Sequence, residues 1–251
     1  MNARIAWRVF VLLAMAGAWV YAQQAGDRGA DTLTTSAGDL RITPIQHASI
    51  MLEWSGRVID VDPWGAGHYT GLPKADLILI THSHGDHLDP RAMAAVTKED
   101  TVVVASEAAA RTITIARGLA NGMKLDLALG GVSVGIEAVA ACNVMRGPAP
   151  GQLYHPKGSG NGYVLTLGSK RIYISGDTEC VPEIAALKDI DVAFMCMNLP
   201  YTQTPQEAAE CVKEFRPAIV YPYHYRGQDP QVFADALRDE RGIEVRLRDW
   251  Y

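Results

Sequence analysis

Apolar residues along the chain fall into short runs separated by turn residues, which is the pattern of β-strands. The run Ala75–Ile80 is apolar except at Asp76, as expected of a strand buried on both faces. Two other runs are joined by Gly168-Ser169-Lys170 and predict a hairpin. The pattern predicts strands at Leu40–Ile45, Ser49–Trp54, Arg57–Val61, Ala75–Ile80, Thr101–Ala105, Lys124–Leu129, Val132–Ala140, Tyr163–Leu167, Arg171–Ser175, Val192–Met197, Ala218–Tyr221 and Ile243–Leu247.

Helix signals lie between several of these strands. Asp89-Pro90 combines a capping aspartate with a proline at the first helical position and predicts a helix over Arg91–Val96. Further helices are predicted from Ser106 to about Arg117, at Pro205–Phe215 and at Pro230–Arg238. Strands dominate the first part of the chain and alternate with helices in the last third, so we expect layered sheets with helices outside.

The first 22 residues differ from the remainder. Basic residues precede a short apolar segment, and Val20-Tyr21-Ala22 offers the small residues that a signal peptidase reads. We interpret residues 1–22 as a cleaved signal peptide, residues 23–37 as a flexible lead-in and residues 38–251 as a single domain. The protein is then periplasmic or secreted, without stable membrane insertion after cleavage. An uncleaved anchor or a buried helix is the alternative, although the apolar segment is short for spanning.

Composition and net charge limit the classes of molecule that the protein is expected to bind. The net charge is −5, and no cluster of lysine and arginine suited to a nucleic-acid backbone is visible, so we expect a small-molecule substrate and no nucleic acid. The sequence leaves the oligomeric state open.

Four cysteines without CxxC spacing allow three disulfide connectivities, among which the sequence does not choose.

Three of the seven histidines lie in one stretch of nine residues, THSHGDHLD, from Thr81 to Asp89. The stretch directly follows the buried strand predicted at Ala75–Ile80, and ligand sites favour the carboxyl ends of strands. Imidazole nitrogens and carboxylate oxygens bind zinc or manganese at neutral pH. The loop therefore predicts a metal site built from His82, His84, Asp86 and His87. The alternative is a polar surface loop that binds no metal.

The pattern THSHGDHLD resembles the signature of the metallo-β-lactamase superfamily. The resemblance implies a four-layered αββα sandwich, with His82 and His84 binding one metal and Asp86 and His87 the other. It also implies three downstream ligands, for which the chain offers His155, Asp177 and His224. Asp177 would bridge the two metals, His155 would complete the first site and His224 the second. Taken singly, these residues could equally be a loop histidine, a turn aspartate and a core histidine.

Four further residues are candidates for the pocket or for contacts behind the ligands. Asp62 follows an early strand and could orient a ligand histidine, or it could cap the turn at Asp62-Pro63. His47 could line the pocket or stabilise a strand junction. Tyr201 and Tyr223 could contact substrate, although tyrosines near strand ends more often pack.

More narrowly, QHASIMLEW, VDPW and the stretch from HPKG to GDTE look like a subgroup of small metal-dependent hydrolases related to the L-ascorbate-6-phosphate lactonases. This implies two divalent cations, with zinc favoured and manganese or iron possible, and a metal-activated hydroxide that attacks a lactone, ester or phosphodiester. Asp86 and Asp177 would be the catalytic carboxylates. The alternatives are a diiron oxidoreductase on the same ligand skeleton and a non-catalytic exported metal-binding protein.

Overall fold

The computed structural model describes residues 29–251, which form two seven-stranded sheets packed face to face. The predicted signal peptide and the start of the lead-in lie outside the described residues. The first sheet runs in chain order, antiparallel from the first strand to the fourth and parallel thereafter. Its strands are β1 (Asp31–Thr35), β2 (Gly38–Gln46), β3 (Ser49–Trp54), β4 (Arg57–Val61), β5 (Leu77–Ile80), β6 (Val102–Ser106) and β7 (Ala116–Leu119).

The second sheet repeats this plan. Its strands also lie in chain order, antiparallel through the fourth strand and parallel in the remainder. They are β8 (Lys124–Leu129), β9 (Val132–Ala141), β10 (Gly160–Leu167), β11 (Lys170–Ile174), β12 (Val192–Cys196), β13 (Ile219–Tyr223) and β14 (Glu244–Val245). The hairpin predicted around Gly168 joins β10 to β11, and Gly168 has a φ of 60° that suits glycine.

Helices cover the outer face of each sheet, which gives the predicted four-layered αββα arrangement. The helices are α1 (Pro90–Val96), α2 (Glu107–Ala110), α3 (Pro182–Ala185), α4 (Pro205–Phe215) and α5 (Pro230–Ala236). Met93 and Val96 of α1 pack on the first sheet, whereas Val212 and Phe215 of α4 pack on the second. Asp89 caps α1 by accepting from the backbone of Arg91 and Ala92, as its position before Pro90 predicts.

Two sequence predictions are wrong, and one short helix was missed. The helix expected from Ser106 to Arg117 ends at Ala110, because the β-branched run Thr112–Ile115 is a poor helix former and Ala116–Leu119 pairs with β6 as strand β7. The lead-in expected over residues 23–37 is wrong for Asp31–Thr35, which pairs with β2. The turn of helix α3 was not predicted at all.

The principal core lies between the two sheets. It includes the fully buried rings of Phe194, Tyr221 and Trp250, and Trp250 brings the end of the chain against the second sheet. None of the helices within residues 29–251 is long and apolar enough to cross a bilayer. Both sheets direct the carboxyl ends of their parallel strands to one edge of the sandwich, and the predicted site lies along that edge.

Candidate metal centre

The predicted ligands lie on loops that follow strand ends. Strand β5 ends at Ile80 and leads directly into the histidine loop, β11 leads into Asp177, and β13 leads into His224. The loop before β10 supplies His155. At Gly176 the chain turns with a φ of 60°, and a Cβ there would lie 2.9 Å from the Asn161 carbonyl, so only glycine allows Asp177 to reach the cluster.

One group of donor atoms comes from three histidines. His84 Nδ1 lies 3.1 Å from His82 Nε2 and 3.2 Å from His155 Nε2. Asp177 Oδ2 lies 3.4 Å from His155 Nε2 and 4.0 Å from His82 Nε2. These are the three histidines that the sequence assigns to the first metal, together with the proposed bridging carboxylate.

A second group adjoins the first. His87 Nε2 and His224 Nε2 are 3.0 Å apart, and each lies 3.3 Å from Asp177 Oδ1. Asp86 Oδ2 lies 3.7 Å from His224 Nε2, and it is also 3.1 Å from His47 Nε2. The structure thus brings together all seven predicted ligands and adds His47, which the sequence placed only in the pocket or at a strand junction.

The Asp177 carboxylate stands between the two groups. Its Oδ2 atom faces His82 and His155, whereas Oδ1 faces His87 and His224. The side chain is 5% exposed, and Oδ1 has no hydrogen-bond partner within residues 29–251. A buried carboxylate oxygen without such a partner is costly unless a cation balances it.

The donor set fits divalent cations. Ring nitrogens only 3.0–3.2 Å apart cannot all hydrogen-bond to one another, but in their unprotonated form they can converge on a shared cation. Three clusters drawn from these side chains and His47 have every donor atom within 4.8 Å of the others. His84 is exposed and Asp86 half-exposed, so the cluster opens to solvent on their side.

Polar groups behind the cluster orient the rings. The Asp62 carboxylate accepts from the Thr81 backbone and hydroxyl at 2.8 and 2.6 Å and lies 2.7 Å from His87 Nδ1, which directs His87 Nε2 into the site. Of the two readings of Asp62, the contact with His87 is therefore the one seen. Asn143 does the same for His155, because its Oδ1 atom lies 2.8 Å from His155 Nδ1. No sequence signal singled out Asn143.

The surroundings shift the pKa values of the clustered histidines in opposite directions. Burial lowers the pKa of His82 well below its usual value, assisted by the neighbouring His87. Burial also opposes charge on His87, but the Asp177 and Asp62 carboxylates outweigh it and raise the pKa of His87 well above its usual value. Conversely, His224 and His87 overcome burial and hold the pKa of Asp177 well below its usual range. Asp177 is therefore an anion at neutral pH, as the bridging role expected from the sequence requires.

Backbone conformation is unusual at the same place. His47, Asp62 and His224 have φ angles of 60°, 45° and 49°, in the left-handed region that only a few per cent of non-glycine residues adopt. Such conformations cost about 1–3 kcal/mol each and cluster at functional sites. Here they let the loops after β2, β4 and β13 turn back toward the cluster.

The two tyrosine candidates have different positions. Tyr223 is fully buried, and its hydroxyl accepts from the Gly176 N–H at 3.0 Å, so it supports the Asp177 loop and does not line the pocket. Tyr201 is 46% exposed, and its carbonyl accepts from the Asn143 amide at 2.8 Å. Tyr201 therefore lies near His155 with its ring available to solvent.

Comparison with known proteins identifies the family of the chain. The model of the β-lactamase superfamily domain matches residues 41–224, more than half of the chain. A metal-dependent hydrolase of Desulforamulus reducens is 30% identical over 83% of this chain and 96% of its own length. A crystal structure of a protein from Parabacteroides distasonis, described as a metal-dependent hydrolase, is 44% identical with a TM-score of 0.81, covering 88% of this chain and 99% of that one.

A more distant structure supports the fold alone. The metallo hydrolase Igni18 from Ignicoccus hospitalis is 22% identical, with a TM-score of 0.70 over 84% of this chain and 95% of that chain. The paired sheets and the matched domain model agree with the resemblance inferred from THSHGDHLD. The chain belongs to the metallo-β-lactamase superfamily and, within it, to the metal-dependent hydrolases.

Proposed function

We propose that this protein is an exported hydrolase that binds two divalent cations, zinc in the first instance, and cleaves a small lactone, ester or phosphodiester. The observation that carries the proposal is the placement of Asp177, whose two oxygens face two separate groups of histidines. When bound, a pair of divalent cations lowers the pKa of a shared water and polarises the electrophile.

The residues of the chain have distinct parts in this scheme. His82, His84 and His155 would hold the first cation, and Asp86, His87 and His224 the second, with Asp177 shared. Burial opposes charge on Asp86, but the nearby His224 ring and the hydrogen bond with His47 outweigh it and lower the pKa of its carboxyl group. Asp86 is therefore ionised at neutral pH and, being half-exposed, would serve as an anionic ligand at the mouth of the site.

Elemental analysis combined with a substrate screen tests this proposal. We expect two equivalents of metal per chain and hydrolysis of at least one member of a panel of lactones, esters and phosphodiesters. Asp177→Ala should take up at most one equivalent and lose activity by about 10³-fold or more, because several kcal/mol of transition-state stabilisation depend on the metals. His68→Ala is the matched control, since His68 is exposed and outside the donor groups.

Two results would contradict the proposal. One is metal-replete protein that cleaves nothing in the panel while His82→Ala leaves every measured property unchanged. The other is bound iron with a visible absorption band and oxygen-dependent turnover, which would favour the oxidoreductase alternative.

Export is a separate part of the proposal. It is supported by the basic and apolar segment ending at Ala22 and by the disulfide between Cys180 and Cys211, since disulfides persist mainly in oxidising compartments. Expression of the full-length chain in a bacterium should yield a periplasmic or secreted form. Its intact mass should correspond to a polypeptide that begins at Gln23. Ala22→Phe should block cleavage because the peptidase reads small residues. A cytoplasmic, uncleaved wild-type chain would refute export.

A further inference from the structure

His47 lies between a predicted metal ligand and the last residue of the sequence. Its Nε2 atom is 3.1 Å from Asp86 Oδ2, and its Nδ1 atom is 2.7 Å from the phenol oxygen of Tyr251. The His47 side chain is 2% exposed, so these two partners account for both ring nitrogens in a nearly dry setting. The three side chains form a continuous line from the cluster to the C-terminal segment.

Backbone contacts fix the ring from both sides. The His47 N–H donates to the Trp250 carbonyl at 2.9 Å, and the His47 carbonyl accepts from the His224 N–H at 3.1 Å. The His47 ring also lies against the His224 ring, with centroids 3.8 Å apart. The loop after β2, the loop after β13 and the C-terminal segment therefore hold His47 in one position.

Hydrogen-bond chemistry selects the tautomer of His47. Burial raises the pKa of Tyr251 above its usual value, so the phenol is protonated at neutral pH and can donate to His47 Nδ1, which lies 2.7 Å away. A neutral imidazole that accepts at Nδ1 carries its hydrogen on Nε2. His47 Nε2 then donates to Asp86 Oδ2, so this nitrogen has no lone pair left for a cation.

We propose that Tyr251 and His47 are positioning residues that orient the Asp86 carboxylate toward the second cation, and that His47 is not a ligand. The inference rests on the dinuclear site of the proposed function. Removing the phenol hydroxyl takes away the donor at Nδ1, so neither the orientation of the ring nor its Nε2–H tautomer is held from that side any longer. Contacts of this kind behind a metal ligand typically change metal affinity by 10–100-fold.

Cobalt titration of the metal-free, full-length protein tests the role of Tyr251. Wild-type protein should bind two equivalents of Co²⁺, resolved by chelator competition and by the visible absorption of each equivalent. Tyr251→Phe should keep the first equivalent unchanged, weaken the second by about 10–100-fold and shift its absorption band. Tyr225→Phe is the matched control, because its ring packs on Tyr251 at 5.1 Å while its hydroxyl donates to the Arg248 carbonyl.

A second variant separates positioning from ligation. His47→Gln keeps an amide N–H that can donate to Asp86, and it should retain the second Co²⁺ with an affinity no lower than that of Tyr251→Phe. Complete loss of the second equivalent of Co²⁺ in His47→Gln would identify His47 as a ligand and overturn the proposal. A Co²⁺ titration curve of Tyr251→Phe identical to that of the wild type would also overturn it. Wild-type protein that binds only one equivalent would instead refute the dinuclear site itself. General unfolding would weaken both equivalents together.

Discussion

At the scale of single residues, the candidate metal ligands were predictable, whereas only Asp62 was predicted among the groups that orient them. Histidines and aspartates at HxHxDH spacing carry their chemistry in their identity, so His82 and His84 are visible in the sequence. No sequence feature distinguishes Asn143 from the other asparagines of the chain. Its role depends on folding, which places its Oδ1 atom 2.7 Å from the His155 N–H and 2.8 Å from Nδ1 of the same residue.

Replacing Asn143 should therefore loosen the first metal position. In Asn143→Ala, His155 loses the acceptor that directs its Nε2 atom into the site, and we expect the affinity for the first cation to fall by about 10–100-fold. Competition with a coloured chelator measures this change. Asn121→Ala is a matched control, because the Asn121 amide binds the Gly160 carbonyl and Asn161 instead of a predicted ligand. Unchanged metal affinity in Asn143→Ala would contradict the role.

At the scale of elements, local patterns predicted most strands and the capped helices, and they failed where pairing outweighs propensity. Strand β7 forms because Ala116–Leu119 continues the parallel sheet beside β6, a partner that the local sequence does not reveal. A second long-range feature is Asp76, just before β5. Its carboxylate accepts from the Val58 N–H, Arg57 and Lys98, and so joins the neighbouring segments.

Asp76 should make stability depend on pH. Burial opposes its charge, but hydrogen bonds from Lys98 and Val58 outweigh this and lower its pKa below the usual 3.8. A depressed carboxyl pKa stabilises the fold above the unfolded-state value, and this stabilisation is lost as pH falls through the folded-state pKa. Asp76→Asn should cost about 1–3 kcal/mol at neutral pH, with the difference shrinking below about pH 4.

Urea unfolding between pH 7 and pH 3 measures this difference. The exposed Asp100 provides the control, since Asp100→Asn should follow the wild-type pH profile closely. A constant gap between wild type and Asp76→Asn across the whole range would show that titration of Asp76 is not the cause.

At the scale of the whole molecule, one covalent link joins two segments of the outer layer on the second sheet. Cys180 follows the Asp177 loop and is bonded to Cys211 on α4, a sequence separation of 31 residues. Arg146 bridges the same regions, because it pairs with both Glu179 and Glu207. Cys142 and Cys196 are free and buried. Folding thus forms one disulfide and leaves two thiols free, whereas each of the three connectivities left open by the sequence would pair all four cysteines.

Reduction of this disulfide should destabilise the domain. Closing a loop of this length lowers the entropy of the unfolded chain and stabilises the fold by about 3–4 kcal/mol. Chemical unfolding with and without reductant should show that loss in wild type, and Cys180→Ala should no longer respond to reductant. Cys142→Ala, which leaves the disulfide intact, should keep the response. Equal stability of oxidised and reduced wild type would contradict the expectation.

The sequence by itself determined the donor chemistry of the site, most strand and helix positions, and the superfamily, because residue type and short-range periodicity are local properties. Only the tertiary structure decided that His47 lies between Tyr251 and Asp86, that Asn143 faces His155, and that Cys180 pairs with Cys211. These contacts join residues from 12 to 204 positions apart. They depend on strand register and on the packing of one sheet against the other, which no local pattern encodes.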